Sequence, residues 1–291
     1  DLMHLLVIAG PTATGKTALA AELAHRLGTE LISADSRQVY RGLDLGTGKD
    51  LDEYRKFNPP VRYHLIDIAE PEKSYSLYQY QRDCYGVMEA KSREAGPVSR
   101  VMVMAGGSGM YMEAVLRRYR IANVPENPDL RRDLMGRARE DLEAELRSKD
   151  AVLADRTDMS SGKRIVRALE VWDAGRSGTV EHSGPPARDF TFTVFGTRME
   201  RSRLRARIDA RVEARLRAGM IEEVEDLLKR GVSEERMGVL GMEYREISEY
   251  LAGGKTREEM TRDLCHEIHL LAKRQETWFR GMERRGVPIT W

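Results

Sequence analysis

Short runs of apolar residues alternate with stretches of helical periodicity along the N-terminal part of the chain. The runs predict buried strands at residues 5–9, 31–34, 64–68 and 101–105, and a later run predicts a fifth at residues 191–196. Residues 18–27, which are rich in Ala and Leu, and residues 110–116 have helical patterns. Strands that alternate with helices are typical of a parallel sheet covered by helices. We therefore predict an α/β fold.

The pattern changes to charged, amphipathic helix beyond residue 125. Residues 130–153 and 164–172 are predicted helices, and the density of Gly, Ser and Pro predicts a loop at residues 175–186. We expect residues 123–188 to form a small all-helical insertion, with residues 1–122 and 189–291 forming the core. Residues 200–285 predict helices interrupted near Gly231, at residues 238–241 and at residues 253–254.

Composition indicates a globular protein with an ample core, since 41% of the 291 residues are hydrophobic and 33% are charged. We expect no membrane attachment and a cytoplasmic location, because the chain has neither a long apolar run nor a secretory signal. Cys84 and Cys265 belong to no paired motif, so neither disulfides nor a zinc site are predicted. Eight arginines against three acidic residues between Arg198 and Arg217 indicate a local polyanion site, although a solvated helix face is equally compatible.

The segment Gly10-Pro-Thr-Ala-Thr-Gly-Lys-Thr17 lies between the first predicted strand and a predicted helix. In that context the sequence predicts a phosphate-binding loop, whose backbone N–H groups surround a phosphate. Lys16 can reach the outer phosphate, and the Thr17 hydroxyl can ligate Mg²⁺. The residues expected to hold a di- or triphosphate are Gly10, Thr12, Ala13, Thr14, Gly15, Lys16 and Thr17. The loop alone does not separate a nucleoside triphosphate from a diphosphate leaving group.

Two further segments follow predicted strands and are expected at the same edge of the sheet. Asp35 ends the second strand, where a carboxylate can act as a general base or bind Mg²⁺ through water. Capping a helix is the alternative role for Asp35. Gly106-Gly-Ser-Gly109 follows the fourth strand, where glycines permit close approach of a ligand and Ser108 offers a hydroxyl. An ordinary tight turn is the alternative there.

Basic residues recur at helical spacing in the last third of the chain. Leu204, Ile208, Val212 and Leu216 predict a buried stripe, and Arg203, Arg207, Arg211 and Arg215 form the stripe beside it. These arginines suit a diphosphate or RNA phosphates, whereas ion pairs with Asp209 or Glu213 are an equal alternative. Residues 273–280 mix basic and aromatic side chains that suit RNA, although Trp278 and Phe279 are more often core residues in such a pattern.

Together these segments resemble the tRNA dimethylallyltransferases, also called tRNA isopentenyltransferases. The similarity extends over Ser33-Ala-Asp-Ser-Arg-Gln-Val-Tyr40, Gly46-Thr47, His64-Leu-Ile-Asp67, Gly106-Gly-Ser-Gly-Met-Tyr111, Arg167-Ala-Leu-Glu-Val171 and Ala272-Lys-Arg-Gln-Glu-Thr-Trp278. It implies a P-loop NTPase-like parallel sheet flanked by helices. It also implies transfer of a dimethylallyl group from its diphosphate to N6 of the adenosine 3′ of the anticodon. Mg²⁺ is the implied cofactor, the tRNA anticodon stem-loop is the implied partner, and we expect a monomer.

The resemblance implies a role for each matching residue. Asp35 would accept the N6 proton, while Ser108 and Arg211 would stabilise the leaving diphosphate together with the phosphate loop. Arg207 is the alternative to Arg211, and Thr17 would hold Mg²⁺. Contacts to adenine or tRNA are implied for Ser36, Arg37, Gln38, Arg164, Lys273, Arg274 and Gln275.

Several positions depart from the family pattern. Ser108 replaces the usual Thr, and Gly46-Thr-Gly-Lys49 and Gly241-Met-Glu-Tyr-Arg245 differ from the usual segments. Residues 155–162 lack the usual Pro-containing turn. These differences bear on the RNA substrate more than on the reaction. Because no paired cysteines follow Trp278, the zinc finger of the eukaryotic relatives is not expected, and a bacterial-type enzyme is implied.

Three other functions are compatible with parts of the sequence. A P-loop phosphotransferase acting on a small molecule or nucleotide would use the same loop. Prenyl transfer to free AMP or ADP would use the same chemistry with a smaller acceptor. An RNA-binding module with a vestigial loop would need no catalysis, but the intact Lys16, Thr17 and Asp35 argue against it.

Overall fold

A parallel sheet is the main β-structure of the described residues. In the computed structural model, which describes residues 2–94 and 100–291, six strands lie side by side in the order β3-β2-β4-β1-β5-β6. They are β1 (Met3–Ala9), β2 (Leu31–Ser33), β3 (Tyr63–His64), β4 (Val101–Gly106), β5 (Phe190–Gly196) and β6 (Ile289–Thr290). All neighbouring strands pair in parallel, so the predicted α/β fold is confirmed.

Helices alternate with the strands along the chain and continue after the fifth strand. Between β1 and β5 they are α1 (Lys16–Leu27), α2 (Asp52–Arg55), α3 (Leu77–Ser92), α4 (Gly109–Leu116), α5 (Pro128–Met135), α6 (Arg139–Lys149), α7 (Ala151–Arg156) and α8 (Gly162–Ser177). After β5 they are α9 (Arg201–Arg217), α10 (Met220–Lys229), α11 (Glu234–Leu240), α12 (Met242–Leu251) and α13 (Arg257–Arg284). None of the described helices has the length and apolar composition needed to cross a membrane.

The buried centre of the sheet sets the position of the site. On β1, Val7 pairs with Met104 of β4 on one side and with Val194 of β5 on the other, and all three are buried. Apolar side chains on both faces explain why the central strands read as continuous hydrophobic runs. Because parallel strands end at one edge, the phosphate loop after β1, Asp35 after β2 and the glycines after β4 come together there.

The chain divides into two compact units. The first unit consists of the residues up to Arg118 together with Pro186–Trp291, and the second unit is Tyr119–Pro185. The second unit contains α5 to α8 and has a core of its own that includes Leu146, Ile165 and Leu169. Glu170 is buried in this unit, where Arg131 and Arg167 donate to its carboxylate. That this unit is a tRNA-binding insertion stays a prediction.

Several sequence-based boundaries are wrong for local reasons. The helix predicted at residues 130–153 is broken into α5, α6 and α7, and Asp150 caps the last of these by accepting from the Leu153 amide. The strand predicted at residues 64–68 ends at His64, because Leu65 and Asp67 have positive φ angles. Gly219, with φ of 108°, separates α9 from α10 at a break that was not predicted. The short elements α2 and β6 and the helix α3 were also missed.

Candidate active site

A cavity of about 360 Å³ lies at the carboxyl edge of the sheet. Its walls come from the phosphate loop, the segment after β2, the loop around Gly48, and the facing sides of α9 and α13. The lining includes Thr12, Ala13, Gly15, Lys16, Thr17, Asp35, Arg37, Gln38, Arg207, Arg211 and Gln275. Most residues predicted from separate segments of the sequence therefore meet in one place.

The phosphate loop has the turn conformation that its sequence predicts. Gly10, Ala13 and Gly15 have positive φ angles of 147°, 64° and 88°. A side chain at Gly10 would collide with Thr197, whose backbone pairs with Ala9, so only glycine fits there. Thr14 fixes the loop from within, because its hydroxyl donates to the Pro11 carbonyl at 2.8 Å. Gly15 precedes the first residue of α1, so the N-terminus of that helix is available to an anion.

The charge of the Lys16 amine depends on its buried position in the cavity. Its Nζ donates to the Pro11 carbonyl oxygen at 2.6 Å. Burial lowers the pKa of Lys16 to about 7, against the effect of the Asp35 carboxylate and with a contribution from Arg211. A bound diphosphate would favour the ammonium form and return the pKa toward its ordinary value.

The two carboxylate oxygens of Asp35 have different surroundings. Its Oδ1 accepts hydrogen bonds from the backbone N–H groups of Arg37 at 2.9 Å and Gln38 at 3.3 Å, as in a capping turn. Its Oδ2 has no hydrogen-bond partner among the described residues, and Asp35 lines the cavity. One oxygen thus fixes the carboxylate while the other is available to accept a proton.

Ser108 contacts the backbone next to Asp35, and it is not one of the described residues that line the cavity. Its hydroxyl accepts from the Ser36 amide at 2.9 Å, and its own amide donates to the Ala34 carbonyl. A Cβ at Gly106 would collide with that same carbonyl, so glycine allows the two segments to touch. The turn after β4 therefore supports the residues on either side of Asp35. The catalytic role assigned to Ser108 stays a prediction.

Three arginines of the α9 stripe line the cavity, namely Arg207, Arg211 and Arg215. Arg207 donates from Nε to the Ala13 carbonyl at 2.9 Å, and Arg211 pairs with Asp50 at 2.9 Å. Asp209 instead accepts from His269, so it is not the partner of the stripe. Burial lowers the pKa of Arg211, and the neighbouring positive charge of Arg215 acts in the same direction. A cluster of cations with one carboxylate partner is a site that favours an anion.

Side-chain amides hold the walls of the cavity together. Gln275 accepts from the Thr12 amide at 2.8 Å and donates to the Gly107 carbonyl at 3.1 Å, so α13 is tied to two loops at once. Gln38 donates to the Thr47 and Gly48 carbonyls, both at 3.3 Å. Arg37 pairs with Glu243, which is buried. Binding of adenine or tRNA by these residues and by Ser36 stays a prediction.

The remaining predicted RNA contacts lie on exposed surfaces. Lys273 and Arg274 are exposed on α13, and Arg164 is exposed in the second unit, where it pairs with Asp158. Phe279 is fully buried, and Trp278 packs against the same core, so this aromatic pair belongs to the interior.

Sequence reasoning missed the residues that shape the loop around Gly48. Glu223 of α10 accepts from the backbone amides of Asp44, Leu45 and Gly46, and also from the Tyr244 hydroxyl at 2.7 Å. Lys49 is buried, and its ammonium donates to the Tyr40 carbonyl, Asp44 and Asp67. Glu223 lies on a helix with several acidic residues, so its sequence position does not indicate that it binds this loop. Lys49 belongs to the segment Gly46-Thr-Gly-Lys49, which departs from the family pattern.

Comparison with known proteins decides the family. The family model described as IPP transferase matches residues 38–282, and the one described as isopentenyl transferase matches residues 3–72. The tRNA dimethylallyltransferase 1 of Geotalea uraniireducens is 46% identical over 99% of this chain and 92% of its own length. The chain belongs to the tRNA dimethylallyltransferase family. The corresponding enzyme of Parabacteroides distasonis is 41% identical, with the same coverage.

Solved structures agree with that family and with the fold. The full-length tRNA isopentenylpyrophosphate transferase of Bacillus halodurans is 31% identical and has a TM-score of 0.68 over 100% of this chain and 89% of its own. A eukaryotic dimethylallyltransferase acting on tRNA has a TM-score of 0.73 at 18% identity, which supports the fold alone. The P-loop-like fold and the bacterial-type family predicted from the sequence are thereby confirmed.

Proposed function

We propose that this protein transfers a dimethylallyl group from dimethylallyl diphosphate to N6 of the adenosine 3′-adjacent to the anticodon of tRNA, with release of diphosphate. The observation that carries the proposal is the free Oδ2 of Asp35 in a cavity that also contains the phosphate loop and the arginine stripe. A proton acceptor and an anion site within one cavity are what a prenyl transfer to an amine requires.

The bond changes follow from that arrangement. The N6 lone pair attacks C1 of the dimethylallyl group, and the C1–O bond breaks with its electron pair passing to the diphosphate. Asp35 accepts the proton that N6 loses, and then returns it to solvent. Lys16, Arg211 and the loop amides stabilise the charge that grows on the leaving diphosphate. Arg207, which donates to the Ala13 carbonyl, holds the loop in place.

The residues present fit Mg²⁺, which Thr17 would hold beside a bound diphosphate. The Thr17 side chain lines the cavity, and its hydroxyl makes no hydrogen bond with the rest of the described chain. No group of three or more His, Cys, Asp or Glu residues able to hold a metal exists among the described residues. That fits Mg²⁺, which usually keeps waters and takes phosphate oxygens as ligands. When bound, the ion would neutralise charge on the diphosphate, and Thr17 would hold it.

We infer that the acceptor adenine binds beside the segment that follows β2, where Gln38 lies. Gln38 lines the cavity with its Nε2 bound to loop carbonyls, and its Oε1, which accepts from the Ser33 hydroxyl at 3.4 Å, keeps a second lone pair for a base edge. A base must leave the anticodon stack first, at a cost of about a few kcal/mol, so contacts with the rest of the RNA have to compensate. We infer that Arg37, Lys273, Arg274 and Gln275 contribute to RNA binding, directly or by shaping the cavity, and that the protein acts as a monomer.

Transfer of labelled carbon tests the proposal. Dimethylallyl diphosphate labelled in its prenyl group is supplied with Mg²⁺ and either unmodified tRNA or AMP as acceptor. We expect label in tRNA, and none in a tRNA whose adenosine 3′ of the anticodon is replaced by guanosine. Label in AMP alone would assign the chain to free-nucleotide prenylation, and label in neither would refute the proposal.

A further inference from the structure

One carboxylate of the cavity wall lies against the arginines of α9. Oδ2 of Asp50 accepts from Nη2 of Arg211 at 2.9 Å, and both residues line the cavity. Among the described residues of the lining, no other carboxylate has an oxygen within 4.0 Å of a nitrogen of Arg207, Arg211 or Arg215. Asp50 therefore occupies, with its own negative charge, a position beside the arginine that we assign to the diphosphate.

The backbone around Asp50 is fixed on both sides. Lys49 before it is fully buried, and after it the Glu53 amide donates to the Asp50 carbonyl at 3.0 Å, where α2 begins. A Cβ at Gly48 would collide with the Arg215 guanidinium, so glycine allows this segment to approach α9 closely. Asp50 itself has a φ of 49°, which is uncommon for a residue other than glycine. The direction of its carboxylate is thus set by the surrounding fold.

The ion pair between Asp50 and Arg211 is open to exchange. The two side chains are 44% and 32% exposed, and exposed ion pairs contribute little stability. Within the described chain, the remaining N–H groups of the Arg211 guanidinium have no acceptor. A diphosphate carries more negative charge than one carboxylate and offers several oxygens to the guanidinium fork. Diphosphate can therefore replace the carboxylate at this arginine.

We infer that Asp50 is an internal counter-ion of the diphosphate site: it occupies Arg211 in the free protein, yields it to the donor, and takes it back as the product leaves. Its charge opposes that of any diphosphate in the cavity, and so it lowers the affinity for both donor and product. Breaking the C1–O bond adds a negative charge to the diphosphate, so the opposition is stronger for the product and favours its release. The inference rests on the proposed function, since it takes Arg211 as a diphosphate ligand.

The direction of change in diphosphate affinity tests the inference. Calorimetry with Mg²⁺ and inorganic diphosphate compares the unaltered protein with Asp50→Asn and with Asp50→Glu, which keeps the charge. Asn tolerates the positive φ of this position as Asp does. The control Asp52→Asn removes the same charge from an exposed position of α2 outside the cavity.

We expect the dissociation constant of diphosphate to be about five- to tenfold lower in Asp50→Asn, with a smaller decrease for dimethylallyl diphosphate measured without acceptor. The difference should shrink between about 50 and 500 mM salt, because salt screens the repulsion. Asp50→Glu and Asp52→Asn should both bind diphosphate as the unaltered protein does.

The outcomes separate this inference from the proposed function. If the unaltered protein transfers no prenyl group to tRNA, the proposed function is wrong. If it does transfer, weaker diphosphate binding by Asp50→Asn would show that Asp50 holds Arg211 in place for the donor, and equal binding would show that it has no influence on the site. Either of these results overturns the inference and leaves the proposed function standing.

Discussion

At the scale of single residues, the two oxygens of Asp35 have different tasks. Oδ1 orders the turn by accepting from the Arg37 and Gln38 amides, and Oδ2 is free to take a proton. The variant Asp35→Asn separates these tasks, because an amide oxygen can still accept from both backbone groups but cannot act as a base. We expect turnover to fall by about 10²-fold or more, with tRNA affinity and melting temperature nearly unchanged. Single-turnover kinetics measure the turnover, and thermal unfolding measures the melting temperature. An unchanged turnover would remove Asp35 from the chemistry.

Lys16 gives the site a measurable coupling between protons and diphosphate. Because burial lowers its pKa from 10.5 to about 7, the amine is mostly neutral in the free protein at about pH 8.5. Bound diphosphate favours the ammonium, so binding should take up close to one proton at about pH 8.5 and progressively less as the pH falls through about 7. Calorimetry of diphosphate binding in buffers of different ionisation enthalpy measures this uptake. Lys16→Met should abolish it, and equal heats in all buffers for the unaltered protein would contradict the account.

The residue scale also shows which roles a sequence can reveal. Asp35 and the phosphate loop were predicted because each follows a strand and has a side chain suited to its chemistry. The clamp formed by Gln275 was not predictable, because its partner Thr12 is 263 positions away and both contacts are to backbone groups. Such a contact depends on how α13 packs, which no local pattern specifies.

At the scale of elements, the loop over residues 43–50 is held by side chains from distant helices. Glu223 accepts three of its backbone amides, and Lys49 is buried within it. The same loop presents the carbonyls that orient Gln38 and carries Asp50, the partner of Arg211. Hydrogen bonds to a charged acceptor contribute about 1.5–3 kcal/mol each, so this carboxylate is a strong anchor.

Glu223 is therefore expected to act as a positioning residue. Glu223→Gln keeps the size of the side chain but weakens the acceptor, so the loop and Gln38 should lose their fixed geometry. We expect kcat/KM for tRNA to fall by about tenfold. Steady-state kinetics of Glu223→Gln and of Glu222→Gln, an exposed neighbour on α10, provide the comparison. Equal values for the two variants would show that the loop does not depend on this carboxylate.

Element boundaries depended on features that periodicity does not encode. Residues 128–156 keep an amphipathic pattern throughout, yet Gly136 ends α5 and Asp150 caps α7, so three short helices replace one. β6 consists of two residues added to the edge of the sheet, which is too short for any pattern to indicate. Strong strands such as β1 and β4 were predicted because both of their faces are buried.

At the scale of the whole molecule, a phosphate-loop fold is combined with a carboxylate, that of Asp35, in the same cavity. In the phosphotransferases that use such loops, the bound phosphate itself is transferred. Here the arginine stripe and the loop surround one cavity with Asp35, an arrangement suited to a diphosphate that leaves as a unit. The parallel sheet and the family were predictable from the order of motifs along the chain. The division into two compact units does not identify which residues contact RNA.

The fate of each part of the donor tests this account most directly. Dimethylallyl diphosphate carrying ¹⁴C in the prenyl group and ³²P in the diphosphate is incubated with Mg²⁺, unmodified tRNA and the protein, and RNA and released phosphates are counted separately. The account predicts ¹⁴C in the tRNA and ³²P in free diphosphate, in a ratio of about one to one, as expected when the diphosphate leaves intact. Label from ³²P in the RNA, or release of orthophosphate without transfer of ¹⁴C, would contradict it.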